Sequence, residues 1–298
     1  MSMRETVALV GAGLMGTGIA HAFAVNRYPV VLIDNNPAAL TQSIEQIRSL
    51  LSDGVKLGKL ETSDAEAALQ RLATAGELDS RAADALLLIE TATEKLQVKQ
   101  AILRRADELL RKDAVIATNT SALSISELAS FTARPQQFLG MHFFNPVQKM
   151  KLVEIVRGLE TSAHTVERAR AWAQALGKTS IVVGDSPGFT TSRMSALMGN
   201  EAMYMLSEGV ASAEDIDTSV RLAFNHPMGP LELGDLTGWD TRLSALQSMH
   251  QALGEKFRPC PLIVRLVKAG RYGRKVGRGV YEYDASGQKI PGSGLKAP

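Results

Sequence analysis

Residues 6–16 read TVALVGAGLMG. Thr6 to Val10 is a short apolar, β-branched run, the pattern of a buried strand. Gly11, Gly13 and Gly16 then follow with G-x-G-x-x-G spacing, and a helical apolar pattern runs from Met15 to about Asn26. A second strand pattern, YPVVLI at 28–33, ends at Asp34, eighteen residues past Gly16. Strand, glycine turn, helix, strand and acid in that order make a dinucleotide-binding fingerprint. Gly11 permits the tight turn, Gly13 lets a pyrophosphate approach the backbone, and Gly16 lets helix and strand pack closely. Leu14 and Met15 lie where the helix opens, and its free N–H groups and positive partial charge suit phosphate. Asp34 is expected to accept hydrogen bonds from both ribose hydroxyls. Its charge repels a 2′-phosphate, which favours NAD over NADP. FAD uses the same fingerprint, so Asp34 alone does not select the nicotinamide cofactor. A glycine-rich turn that binds no nucleotide is the other alternative.

Outward from this stretch the alternation continues. Apolar residues at Leu40, Ile44, Ile47, Leu50 and Leu51 predict a helix from Pro37 to about Leu57, with Pro37 well placed at its start. A second helix from Asp64 to Leu72 would pair with it as a hairpin. Strands are predicted at 85–89, 114–118, 138–144, 152–156 and 181–183, and helices at 98–110, 124–130 and 165–176. After Gly184 the grammar changes. DSPG at 185–188 suits a linker and helix cap. Beyond it the segments near 189–208, 213–224, 239–253 and 261–269 have helical periodicity, and no convincing strand follows until 281–283. Strand–helix alternation followed by helices alone implies two domains. The expected fold is α/β, a Rossmann-like doubly wound sheet over 1–185, followed by an all-helical domain over 186–298.

The 298 residues, 45% hydrophobic and 21% charged, are enough to bury a sizeable core. A formal charge of +2 is too small to argue for nucleic acid or an anionic membrane. No stretch has the length and apolarity of a membrane span. One cysteine, Cys260, cannot form an internal disulfide, so a reducing, cytoplasmic setting is expected. No H-x-x-x-H or C-x-x-C pattern occurs, so no metal site is expected. The basic run at 271–278 has no aromatic stacking platform and reads as a loop before a terminal strand.

The chemistry-bearing candidates lie in the second half of the sheet. MHFFNP at 141–146 and KLVEI at 151–155 are strands joined by a tight turn. His142 on one strand and Glu154 on the other can meet across the pair. Glu154 interrupts an apolar strand, and a buried acid needs a partner. It would fix the imidazole tautomer, leaving His142 to take a hydroxyl proton while hydride leaves the same carbon. Ser121 ends a strand, behind Asn119 and Thr120, on the sheet edge where doubly wound folds bind ligands. A core histidine satisfied by a carbonyl, with Glu154 facing water, fits the spacing equally well.

GAGLMG, ATNTSAL (117–123), MHFFNPVQKMKLVEIV (141–156) and DSPGF (185–189) together resemble the L-3-hydroxyacyl-CoA dehydrogenases, specifically the stand-alone short-chain enzymes. The resemblance runs from Val7 to about Tyr283. It implies NAD-dependent oxidation of the 3-hydroxyl of a short-chain acyl-CoA, reversibly. It makes His142 the general base, Glu154 its orienting partner and Ser121 a hydrogen-bond donor to the substrate's 3-oxygen. Asn145 would help place the nicotinamide or the histidine. Glu94, Lys99 and Asn119 match positions near the cofactor. The hairpin near 37–72 would lie near the CoA, where Lys56 and Lys59 can meet phosphates unless they are simply solvated. The helical domain would bind substrate and form a homodimer. One residue departs from the pattern. The family's P-G-F-x-x-N-R has asparagine where this chain has Ser192, a donor on a shorter arm for the substrate carbonyl. A dehydrogenase of free 3-hydroxy acids or sugar acids such as L-gulonate, and a non-catalytic NAD-binding structural protein, remain alternatives.

Overall fold

The computed structural model describes residues 5–296. The chain divides into two compact units, Met1–Ser186 and Pro187–Pro298. The first opens with β1 (Val7–Val10), α1 (Leu14–Val25), β2 (Val30–Ile33), α2 (Pro37–Lys56), α3 (Thr62–Gln70) and β3 (Leu72–Ala75). It continues with β4 (Leu87–Glu90), α4 (Leu96–Leu109), β5 (Val115–Thr118) and α5 (Ile125–Ala129), then β6 (Phe138–Phe143), β7 (Leu152–Arg157), α6 (Ala163–Ala175) and β8 (Thr179–Gly184).

These strands form one sheet in the order β3-β2-β1-β4-β5-β6-β7-β8. Every neighbouring pair is parallel except β6 and β7. Each residue of β1, β2, β4 and β5 is buried. That explains their unbroken apolar runs, because a strand covered on both faces has no solvent side to make polar. From β1 the chain order runs to β2 and β3 on one side and to β4, β5 and β6 on the other. The strand order thus reverses at β1, and the carboxyl ends beside it, Val10, Glu90 and Thr118, mark the crevice where such sheets bind ligands. Two features fix α2: Asn36 caps it, its side chain accepting from the Ala38 amide at 3.1 Å, and Pro37 occupies the first turn.

Two expectations about local structure change. The helix expected from Asp64 to Leu72 is α3, which ends at Gln70 and is followed by the edge strand β3. LATA carries little β-branched or alternating signal, and only Ala75 in it is buried, so the strand owes its existence to pairing with β2. The expected terminal strand at 281–283 forms only isolated bridges, Arg278 with Glu282 and Tyr283 with Lys289.

The second unit is helical: α7 (Thr191–Ser207), α8 (Ala213–Ala223), α9 (Pro230–Thr237), α10 (Trp239–Leu253) and α11 (Pro261–Lys268). Of these, α9 was not anticipated, because its eight residues follow the turn-rich stretch before Pro230, which sits in the helix's first turn. Met203, Leu231, Trp239, Phe257 and Tyr281 are among the buried residues of this unit's core. Asp235 ties α9 to the C-terminal loop. Its carboxylate accepts from the Trp239 indole at 2.6 Å and from the Val280 and Tyr281 amides, both at 2.8 Å. Among the described residues no helix is long and apolar enough to cross a membrane.

Candidate active site and dinucleotide loop

Gly11 has φ +105°, a conformation that L side chains rarely adopt. A Cβ on Gly16 would run into the carbonyl oxygen of Gly11, whereas one on Gly13 would meet nothing within 4 Å. The loop is therefore closed tightly at its base and open at Gly13. No side chain caps the start of α1, so its first N–H groups are left for a ligand anion. Asp34 Oδ2 accepts from the Ala12 amide at 2.8 Å and Oδ1 from the Asn36 amide at 2.9 Å. These bonds hold the carboxylate beside the loop. Beneath it, the Thr17 hydroxyl donates to Ser43 Oγ at 2.8 Å and fastens α1 to α2. A cavity of about 300 Å³ adjoins the loop, lined by Gly13, Leu14, Thr17, Gln42, Ser43 and Gln46. A second, of about 240 Å³, extends past Leu14 and Leu50 to Asn145–Gln148, where the Asn145–Pro146 peptide is cis. An open glycine, an uncapped helix start and a fixed carboxylate suit a dinucleotide with free ribose hydroxyls. These residues fit NAD.

Across β6 and β7, His142 and Glu154 are direct register partners. His142 Nδ1 lies 2.7 Å from Glu154 Oε2, with Glu154 fully buried and His142 6% exposed. A carboxylate only accepts, so Nδ1 carries the proton and Nε2 of the neutral ring keeps its lone pair. Nε2 lies 3.1 Å from Ser121 Oγ. The Phe144 ring flanks the imidazole at 4.7 Å between centroids. Asn119 Oδ1 accepts from the Phe143 amide at 2.8 Å, joining the end of β5 to the end of β6.

The structure brings Ser121, His142 and Glu154 together, with Glu94 bound to Ser121 from the side. Glu94 Oε1 accepts from the Ser121 amide at 3.0 Å and Oε2 from the Thr120 hydroxyl at 2.8 Å. Lys99 is fully buried, and its ammonium lies 2.8 and 2.7 Å from the two oxygens of the equally buried Glu90. Asn145 is exposed at the turn after β6. Lys56 and Lys59 are exposed, and Lys56 Nζ is 3.6 Å from Asp53 Oδ1. Ser192 is half-buried on α7 of the second unit. Glu90, Thr118, Thr17 and Ser43 were not singled out from the sequence. A signal existed for Glu90: an acid that ends the run LLLIE needs a buried partner. Among the described residues no group of three or more His, Cys, Asp or Glu is placed to hold a metal ion.

A doubly wound sheet, a glycine loop that fits NAD and a histidine–carboxylate pair on the same sheet define a class, the nicotinamide-dependent oxidoreductases. Comparison with known proteins narrows it. Residues 6–186 match the model of the 3-hydroxyacyl-CoA dehydrogenase NAD binding domain, and residues 188–283 match that of the 3-hydroxyacyl-CoA dehydrogenase C-terminal domain. The chain belongs to the 3-hydroxyacyl-CoA dehydrogenase family. It is 41% identical to a probable 3-hydroxybutyryl-CoA dehydrogenase of Bacillus subtilis, covering 94% of this chain and 98% of that protein. It is 44% identical to a 3-hydroxybutyryl-CoA dehydrogenase of Bradyrhizobium diazoefficiens, covering 94% and 95%. The crystal structure of an (S)-3-hydroxybutyryl-CoA dehydrogenase from Ralstonia eutropha superimposes with a TM-score of 0.91 at 42% identity, covering 94% of this chain and 99% of that one.

Proposed function

We propose that the protein oxidises the 3-hydroxyl of a short-chain (S)-3-hydroxyacyl-CoA to the 3-oxoacyl-CoA, and catalyses the reverse reduction. When bound, NAD would accept the hydride that leaves the 3-carbon. The observation that carries the proposal is the pair of contacts on one imidazole, Nδ1 to Glu154 and Nε2 to Ser121. Glu154 fixes the tautomer and stabilises the imidazolium that forms. Nε2 of His142 accepts the proton of the substrate hydroxyl, and Ser121 Oγ hydrogen-bonds the same oxygen. In reverse, protonated His142 returns the proton. Gly13, Leu14, Met15 and Gly16 offer the backbone of the phosphate site, and Asp34 takes the ribose hydroxyls. Glu94, Lys99, Asn119 and Asn145 arrange the nicotinamide end.

On the substrate side, Ser192 donates to the acyl carbonyl, and Lys56 and Lys59 meet the CoA phosphates. The protein pairs as a homodimer through its helical unit and works in a cytoplasmic setting, which suits the buried, free Cys260. The test is His142→Gln, which keeps size and polarity but removes the base. Turnover with acetoacetyl-CoA and NADH is expected to fall by roughly 10²–10⁴-fold, with NADH affinity within about twofold of the wild type. Retained turnover would end the assignment. Equal turnover on acetoacetate and acetoacetyl-CoA would end the CoA part alone.

A further inference from the structure

Ser121 sits on an exposed turn, yet the proposed reaction needs its hydroxyl held beside the imidazole, where both can reach one substrate oxygen. We propose that Glu90 is a positioning residue for the reaction, acting through Lys99 and Glu94 on Ser121. This inference rests on the roles given above to Ser121 and His142.

The chain of contacts begins in the interior. Glu90 ends β4 and Thr118 ends β5, directly opposite in register. The Thr118 hydroxyl donates to Glu90 Oε2 at 2.7 Å, and the Ala92 amide donates to Oε1 at 2.6 Å. Lys99, in the first turn of α4, donates to both oxygens. The carboxylate is thus held from three sides, and it holds the ammonium in one place. That ammonium lies 3.7 Å from Glu94 Oε2, and Glu94 is 46% exposed. Glu94 in turn receives the Thr120 hydroxyl and the Ser121 amide. Ser121 Oγ then faces His142 Nε2. A buried charge pair under the sheet edge thereby orients a more exposed carboxylate, and that carboxylate binds the turn.

Stability alone does not account for burying the pair. Desolvating two ions costs several kcal/mol each, and replacing such a pair with well-packed apolar residues is often neutral. Position does account for it, because a misplacement of about 1 Å in a reacting group can cost on the order of 10²-fold in rate. A local anchor competes with this explanation. The Thr120 hydroxyl accepts from the Ala122 and Leu123 amides at 3.2 and 3.0 Å and closes the turn by itself. If that turn suffices, changes at Glu90 reach stability and nothing more.

The experiment compares Thr118→Val, Thr118→Ser and Glu90→Gln, assayed well below each variant's Tm for kcat, KM for acetoacetyl-CoA and Kd for NADH. Thr118→Val and Glu90→Gln are expected to lower kcat about tenfold with KM and Kd within about twofold, and Thr118→Ser to recover most of that loss. Should Glu90→Gln fail to fold, the two Thr118 variants decide. Folded variants with kcat within about twofold of wild type, while His142→Gln is inactive, would overturn the inference and leave the proposed function standing. A loss that Thr118→Ser does not recover also overturns it.

Discussion

At Gly13 a Cβ would meet nothing within 4 Å, while at Gly16 it would enter the space of the Gly11 carbonyl oxygen. The two glycines of one motif therefore answer to different demands. Gly16→Ala must push backbone from backbone, and is expected to cost on the order of 1–3 kcal/mol of stability, read as a lower Tm. Gly13 has φ −75°, which alanine tolerates, so Gly13→Ala should leave Tm within about 1 °C of wild type. Its methyl group instead fills the approach to the pyrophosphate, and Kd for NADH should rise about tenfold or more. A Gly13→Ala protein that binds NADH normally would remove the phosphate site from this loop. Legibility at this scale follows the same division. The sequence offers the His142–Glu154 contact as one of two equal readings, and the antiparallel register of β6 and β7 across an eight-residue connection decides for it. The placement of Lys99 could not be read, because its partner Glu90 lies on β4, nine residues back, and pairing of a buried charge is a property of the folded interior.

Elements that were legible are those whose pattern states their burial. The four-residue strands β1, β2, β4 and β5 are wholly apolar or nearly so, and wholly buried. The edge strand β3 and the short α9 were not legible, because each is held by what it packs against. Asp217 on α8 is part of what holds α9. It accepts from the Leu231 and Glu232 amides at 2.7 and 2.9 Å and from the Tyr281 hydroxyl at 2.8 Å. Burial pushes the Asp217 carboxyl above the usual range, against the pull of those three donors. The sign of the pH effect follows. Between about pH 4 and the raised value the folded state keeps a proton that the unfolded state has released, so this group's contribution to stability falls as pH rises. Asparagine cannot titrate. The Tm difference, wild type minus Asp217→Asn, is therefore expected to decrease as pH is raised from about 4 toward 7 in calorimetric scans. A difference that stays flat or grows would show that the donors, not burial, govern this carboxyl.

On the whole molecule, a net charge of +2 offers little repulsion between copies. The helical unit leaves large apolar side chains in water: Met194 is 64% exposed, Val210 61%, Leu222 78% and Phe224 69%. Single exposed apolar residues are ordinary, whereas a contiguous group of them is what association would cover. Leu222 and Phe224 lie at the end of α8, outside the core cluster that contains Ile216 and Leu231. Charging them should leave that core intact. If two copies pair through this unit, light scattering should give twice the 32.0 kDa chain mass. Leu222→Glu combined with Phe224→Glu should return the mass to that of one chain, with Tm of the NADH-bound form reduced by only a few degrees. A wild-type mass of one chain at micromolar concentration would remove the dimer. A dimer that persists in the double variant would move its interface elsewhere, since two buried, unpaired carboxylates per copy are too costly for the contact to absorb.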